Sequence, residues 1–448
     1  MAGQRAGRLT ARLAGRRIRI GLGLAVLVLL VSASATSAGA VGGGESEFDD
    51  LERVEPPRPC EEDPGVSGDE IKVGAILPTS GPQAASFSAA QDGIEARFAM
   101  ANETGELGKR QLDLTVEDDA ADTARNLTAA QALIEQEEVF GIISVTSAAA
   151  GSAKYLEAQE VPVAGWHVGI EAWGENTNMF GWRNSQPSDA GGTFTTRQAD
   201  FLKELGVTKV AVIGVNLQAS AVFAEQVGKA VDKTKGMETV FLTTDLTASD
   251  REFTGIVEQI RQSGADGLYT GMDFLQNTAL NAALAQAGVE LKATVFPGGY
   301  DTRTLGIDGI DGVYFGVEFK PFELDPPAFA EYADYMQQAD KHYEGQIPYI
   351  GWLSADAFIQ GLKEAGRSCP TREGFITNLR LLEGYDANGA FLPVDFAEIY
   401  GRPFYCVYYV QVVDGAFVPQ FDGDPFCATR VINDGKAKKL KPAQLRGG

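Results

Sequence analysis

Apolar spacing along the chain alternates between strand-length runs and helical periods. Ile71 to Leu77 is an apolar run of strand length. It opens into the loop Pro78-Thr79-Ser80-Gly81-Pro82-Gln83 and a helical stretch from about Ala84 to Met100, where Ile94, Phe98 and Ala101 share one face. Leu112 to Val116 reads as the next strand, followed by an acidic loop, an amphipathic helix from Thr123 to Glu137 and the run Phe140 to Val145. Val161 to Gly165 is a further buried strand. Beyond residue 190 the sequence predicts a helix over Phe194 to Leu205, a strand over Lys209 to Val215, and a helix with Phe253, Ile256, Val257 and Ile260 at i, i+3, i+4, i+7. Short strands at Gly267 to Thr270, Ala293 to Phe296 and Gly312 to Val317 follow, then helices over Pro327 to Tyr343, Leu353 to Ala365 and Arg372 to Leu382. Strands and helices in alternation predict an α/β chain with mostly parallel sheets flanked by helices.

Two segments repeat one spacing. From Leu112 to Phe140 is 28 residues, strand to strand across an acidic loop and a helix, and from Thr239 to Gly267 is also 28. Between them lies Gly181-Trp-Arg-Asn-Ser-Gln-Pro-Ser-Asp-Ala190, polar and without either period, so it reads as a connector between two similar halves. In open α/β sheets ligands sit outside the carboxyl ends of the strands, which nominates the loops there. These are Ser80 and Gln83 after the first strand, Thr146 and Ser147 after the third, and Trp166 with His167 after the fourth. In the second half they are Asn216, Asp273 with Phe274, and Tyr300 with Asp301. Hydroxyls and unpaired NH groups can hold an anion, and Trp166 offers a stacking face. Each loop taken singly also reads as a helix cap, and each aromatic as ordinary packing.

Charge narrows the partners. The net charge of −23 excludes a nucleic-acid binder, which needs clustered Lys and Arg. The basic residues that exist are concentrated at the start: Arg5, Arg8, Arg12, Arg16, Arg17 and Arg19 precede the apolar run Ile20 to Val31, and small residues follow to Ala40. That order is a secretory signal peptide spanning residues 1–40. An uncleaved anchor is the alternative, although a core of about a dozen residues is short of the roughly 20 that span a bilayer. Residues 41–65, with glycines, prolines and many acids, read as a disordered spacer. The tail 428–448, with Lys436, Lys438, Lys439 and Lys441, reads as a solvated end. Four cysteines in an exported chain predict two disulfides. Cys406 and Cys427 flank a predicted hairpin. Cys60 lies before the first strand and Cys369 after a helix, positions that share one edge of a parallel α/β layer, so the expected pairs are 60 with 369 and 406 with 427.

No GxSxG, P-loop, HExxH or EF-hand pattern occurs after the signal segment, and Gly306 to Gly312 lacks the ligand spacing of a calcium loop. The sequence therefore predicts no cofactor, no metal and no catalytic group.

Taken together, Ile71-Lys-Val-Gly-Ala-Ile-Leu-Pro-Thr-Ser-Gly-Pro82, Trp182-Arg-Asn-Ser-Gln-Pro-Ser-Asp-Ala190, Asp250 to Asp266 and Ser354 to Gly366 resemble the type I periplasmic solute-binding proteins of ABC importers, in particular the branched-chain amino acid and amide receptors. The resemblance covers about Val66 to Cys427. It implies two interleaved lobes, 66–183 with 320–400 and 187–318 with 404–427, joined by three hinge crossings that include Arg183, Pro187 and Pro321. It also implies a solute in the cleft, hinge closure, and ABC permease and ATPase partners for a monomeric receptor outside the cytoplasm. In the amino acid receptors Thr146 and Ser147 match the loop that holds the α-carboxylate, whereas Trp166-His167-Val168 departs from the family pattern. The departure shifts the expected solute towards an aromatic or other flat organic molecule. The same fold serving as a sensor module, or a secreted α/β hydrolase, are the alternatives.

Overall fold

The computed structural model describes residues 48, 50–167, 171–182, 192–433 and 435–441. The predicted Arg183 and Pro187 lie outside the described residues, as does the signal segment.

Five parallel strands, β1 (Glu70–Leu77), β2 (Gln111–Asp118), β3 (Gly141–Ser144), β4 (Val163–Gly165) and β5 (Met179–Gly181), form one sheet in the order β2-β1-β3-β4-β5. The run Val73 to Leu77 reads as nearly continuous apolar sequence because helices cover both faces of the sheet. A two-residue strand β6 (Phe194–Thr195) precedes the second sheet. That sheet contains β7 (Lys209–Val215), β8 (Glu238–Leu246), β9 (Gly267–Thr270), β10 (Ala293–Phe296) and β11 (Tyr314–Val317), all parallel in the order β8-β7-β9-β10-β11. Antiparallel β12 (Cys406–Val413) and β13 (Ala416–Pro419) extend it beyond β11. The two 28-residue segments of the sequence become β2-to-β3 and β8-to-β9. In both, the first strand takes the sheet edge, and the second lies across β1 or β7 from it.

The chain returns to the first sheet after β11. Helix Gln346–Gly366 is buried around most of its circumference because it lies between that sheet and helix Ala90–Thr104. Glycine makes this approach possible: a Cβ at Gly93 would stand 1.8 Å from the Pro348 oxygen, and one at Gly351 2.0 Å from the Ala90 oxygen. Before β12 the chain crosses back to the second sheet.

Several boundaries differ from the sequence expectation: the helix expected from Leu353 begins at Gln346, and the one expected to reach Tyr343 ends at Gln338. The helix expected over Ala84 to Met100 is two, Ala84–Phe87 and Ala90–Thr104. The helix expected from Phe194 begins at Arg197, since Phe194 and Thr195 pair with β15 (Arg430–Asn433). The tail's lysines, Lys436, Lys438, Lys439 and Lys441, are exposed as expected, yet the segment is ordered into β15 and β16 (Lys436–Lys439), after the short β14 (Phe426–Cys427) that pairs with β12. Part of the stretch read as a disordered spacer is held down: Val54 N–H donates to Asn378 at 2.8 Å, Arg372 N–H donates to Asp63 at 2.6 Å, and Cys60 is bonded to Cys369. Both disulfides, Cys60–Cys369 and Cys406–Cys427, pair as expected. Among the described residues no helix is long and apolar enough to cross a membrane.

Candidate functional site

The carboxyl ends of both sheets open onto one cleft of about 260 Å³. Helix Ala84–Phe87, which follows the first strand's loop, approaches helix Phe274–Gln286 across it. The first sheet contributes Gln83 and Phe87 beyond β1, Ser147 beyond β3, and Trp166 and His167 beyond β4. The second contributes Leu217 and Phe223 beyond β7, Met272 to Phe274 beyond β9, and Pro297 to Gly299 beyond β10.

Within this wall several polar side chains are tied to one another or to the loops they start. Ser147 donates to the Gln83 side-chain oxygen at 2.6 Å. Trp166 Nε1 donates to Glu318 at 2.9 Å, joining the end of β4 to the residue after β11, and its ring lies 5.7 Å from Phe87. His167 stands edge-on to Trp182 and Phe404. Asp273 caps the helix it precedes, accepting from Gln276 N–H at 2.9 Å, and its second oxygen faces Arg251 at 3.9 Å. Burial raises the Asp273 pKa, with the cap and Arg251 opposing.

Of the residues nominated from sequence, the cleft wall thus contains Gln83, Ser147, Trp166, His167, Asp273 and Phe274. The others sit elsewhere. Ser80 is exposed and bonded to Asp118. Thr146 is fully buried and donates to Asp119 at 2.6 Å. Asn216 is exposed, its N–H on the Leu246 carbonyl. Tyr300 is buried, donating to Glu323 at 2.6 Å while accepting from Phe322 N–H, and burial, with Glu323 adding to it, lifts its phenol well above the usual value. Asp301 pairs with Arg303 and His342; its burial, which alone would raise the pKa, is outweighed by Arg303, so the carboxyl is held below its ordinary value. Pro321 precedes a short 3₁₀ turn, Phe322–Leu324, away from the cleft lining.

Sequence reasoning missed Ser86, Phe87, Arg197, Phe223, Gln226, Glu318, Ile347 and Phe404, all of which line the cleft. Some were within reach: Ala219, Val222, Phe223 and Gln226 fall on one face of helix Gln218–Asp232, directly after a nominated loop. Arg197 carried no such signal. Its side chain reaches the cleft by packing on Phe404, with the guanidinium 4.6 Å from that ring.

Residues 70–416 match the family described as periplasmic binding protein. A Leu/Ile/Val-binding protein homolog from Brucella melitensis biotype 1 is 25% identical over 227 residues, which are 49% of this chain and 59% of that relative. The chain thus spans about three fifths of that relative's length. A branched-chain amino acid ABC transporter structure from Thermus thermophilus, solved with bound valine, superposes with TM-score 0.69 at 13% identity, covering 81% of this chain and 98% of that one. A fatty acid ABC transporter substrate-binding protein from Thermomonospora curvata gives TM-score 0.69 at 16% identity, covering 83% of this chain and 96% of that one.

Proposed function

The chain belongs to the periplasmic binding protein family, and from that premise we propose that it is an extracytoplasmic, non-enzymatic solute receptor of an ABC importer. It takes up a small organic solute between two lobes and presents it to a permease with its ATPase. The lobes are 66–183 with 320–400 and 187–318 with 404–427, and they close by bending at the segments around 181–190, 318–321 and 394–403. Closure lets one solute touch both lobes, so binding shifts an open-to-closed equilibrium.

The observation that carries this reading is the single cleft walled by the strand ends of both sheets. Its aromatic and aliphatic walls, Phe87, Trp166, Leu217, Phe223, Met272 and Phe274, favour a solute with an apolar body.

The test is mass spectrometry of solutes released when the natively purified protein is denatured, followed by a thermal-shift screen of the refolded protein. A genuine solute present at a hundred times its Kd stabilises the native state by about 2.7 kcal/mol and raises Tm accordingly. If no small molecule of any class raises Tm, the receptor reading fails.

A further inference from the structure

We infer that Arg197 is the anion-binding residue of this cleft and that it selects an apolar monocarboxylate over a zwitterionic amino acid. The inference rests on the receptor reading and specifies its solute.

Arg197 is the first residue of helix Arg197–Glu204 and lines the cleft while only 8% exposed. Nη1 donates to the Phe404 carbonyl at 2.7 Å, and Nε has no hydrogen-bond partner. Among the described residues no carboxylate stands within ion-pair distance of it. Its charge works against the burial that raises the Tyr409 phenol, yet the Tyr409 hydroxyl makes no hydrogen bond of normal geometry. A buried guanidinium whose single hydrogen-bonded acceptor is a neutral carbonyl is costly to hold, and an arriving anion removes that cost. The contrast within the molecule is Arg97. It is buried to a similar degree, 2% exposed, but held by Glu106 at 2.7 Å and Asp356 at 2.8 Å.

The acids of the same cleft are already engaged. Glu318 accepts from Trp166, and Asp273 accepts at its helix cap through one oxygen, while the other makes no hydrogen bond but faces the Arg251 guanidinium at 3.9 Å, which offsets its charge. An α-ammonium group therefore meets only carboxylates whose charge a donor or a cation already shares, whereas a carboxylate meets Arg197, which no carboxylate among the described residues neutralises. Planar guanidinium and planar carboxylate match as a charge-assisted, two-point contact. Trp166, Phe87, Phe223 and Phe274 then receive the apolar body.

The experiment uses full-length protein freed of bound solute by unfolding and refolding with its disulfides intact. Calorimetry compares two matched series: 4-methylpentanoate, 4-methylpentanamide and leucine, and 3-phenylpropanoate, 3-phenylpropanamide and phenylalanine. In at least one series the acid is expected to bind tenfold or more tightly than both its amide and its amino acid. Arg197→Gln abolishes that preference and Arg197→Lys retains part of it, with circular dichroism melts confirming that both variants fold. Because the acid-to-amide ratio is measured first in the unaltered protein, a variant that fails to fold does not remove the test. Equal binding of acid and amide, tighter binding of the amino acid, or a natively released solute without a carboxylate each overturn the inference while leaving the receptor reading intact. If nothing in either series binds and no released solute is found, both fall.

Discussion

The two halves of the molecule share a strand order but differ in what fixes their loops at the cleft. In the first half carboxylates fix them. Asp118, at the end of β2, accepts from Thr79, Ser80 and Ala120 N–H groups and so shapes the loop that leads to Gln83 and Phe87. Asp119, fully buried, accepts from Thr146, Asn126 and Ala121 and so shapes the loop that carries Ser147. In the second half the comparable carboxylate, Asp266, lies before β9 at the far edge of the sheet. There it accepts from Thr208, Lys209 and Lys292. At the second half's cleft edge Asp273 caps one helix, and the rest of the wall is mainly Leu217, Phe223, Met272 and Phe274. One jaw is shaped by internally bonded polar loops, and the other is mainly an apolar surface. The first can hold a fixed shape and the second can take up the apolar part of a ligand by contact area alone.

The comparison breaks most sharply at Asp119. Asp119→Ala leaves the Thr146 hydroxyl, the Asn126 amide and the Ala121 N–H without their acceptor inside the first half. The expected loss is roughly 3–5 kcal/mol of stability, read from the urea midpoint. A loss below about 1 kcal/mol would mean that the polar jaw is not held from within.

The next largest effect belongs to the aromatic walls. Trp166 both packs against Phe87, the rings tilted with centroids 5.7 Å apart, and hydrogen-bonds across to Glu318. Trp166→Ala is expected to weaken solute binding about 100-fold. Phe274→Ala, which removes contact area from the apolar jaw alone, is expected to weaken it about tenfold, close to 1.4 kcal/mol. Calorimetry of both variants with the released solute decides the order. Equal losses would mean that the two jaws grip alike.

These two residues mark how much could be read in advance. Trp166 and Phe274 were legible because apolar spacing locates strand ends, and ligands gather at strand ends. The repeated 28-residue spacing and the cysteine pairs were legible for a similar reason, since both follow from the order of elements along the chain. Side-chain direction was not. Thr146 and Ser147 are neighbours with the same chemistry, yet Thr146 turns inward to Asp119 and Ser147 outward to Gln83. Tyr300 and Asp301 sit on a cleft-side loop but are captured by Glu323, Arg303 and His342. Arg197 depends on Phe404, which is 207 residues away in sequence, so no local pattern could place it.

The smallest effect separates the two carboxylate roles by pH. Burial would raise the pKa of both Asp118 and Asp266, but hydrogen bonds outweigh it and bring each down to about 2, from 3.8 in the unfolded chain: Ser80 and loop N–H groups at Asp118, Lys292 and N–H groups at Asp266. A carboxyl depressed on folding stabilises the protein above its unfolded pKa, and the contribution is lost as pH falls through the folded value. Each therefore contributes in full above about pH 4 and fades between about pH 4 and pH 2. Both side chains keep about a quarter of their surface in water, at 25% and 23%, so screening holds the contribution to about 1 kcal/mol or less apiece. Asp118→Asn and Asp266→Asn should accordingly flatten the acid limb of the stability curve by similar small amounts. They should differ in affinity at neutral pH. Asp118 shapes the loop leading to Gln83 and Phe87, so its substitution should weaken binding a few-fold, while Asp266, on the far edge, should leave affinity unchanged. Affinity changing equally in both variants would show that the far edge and the cleft edge are coupled through the sheets.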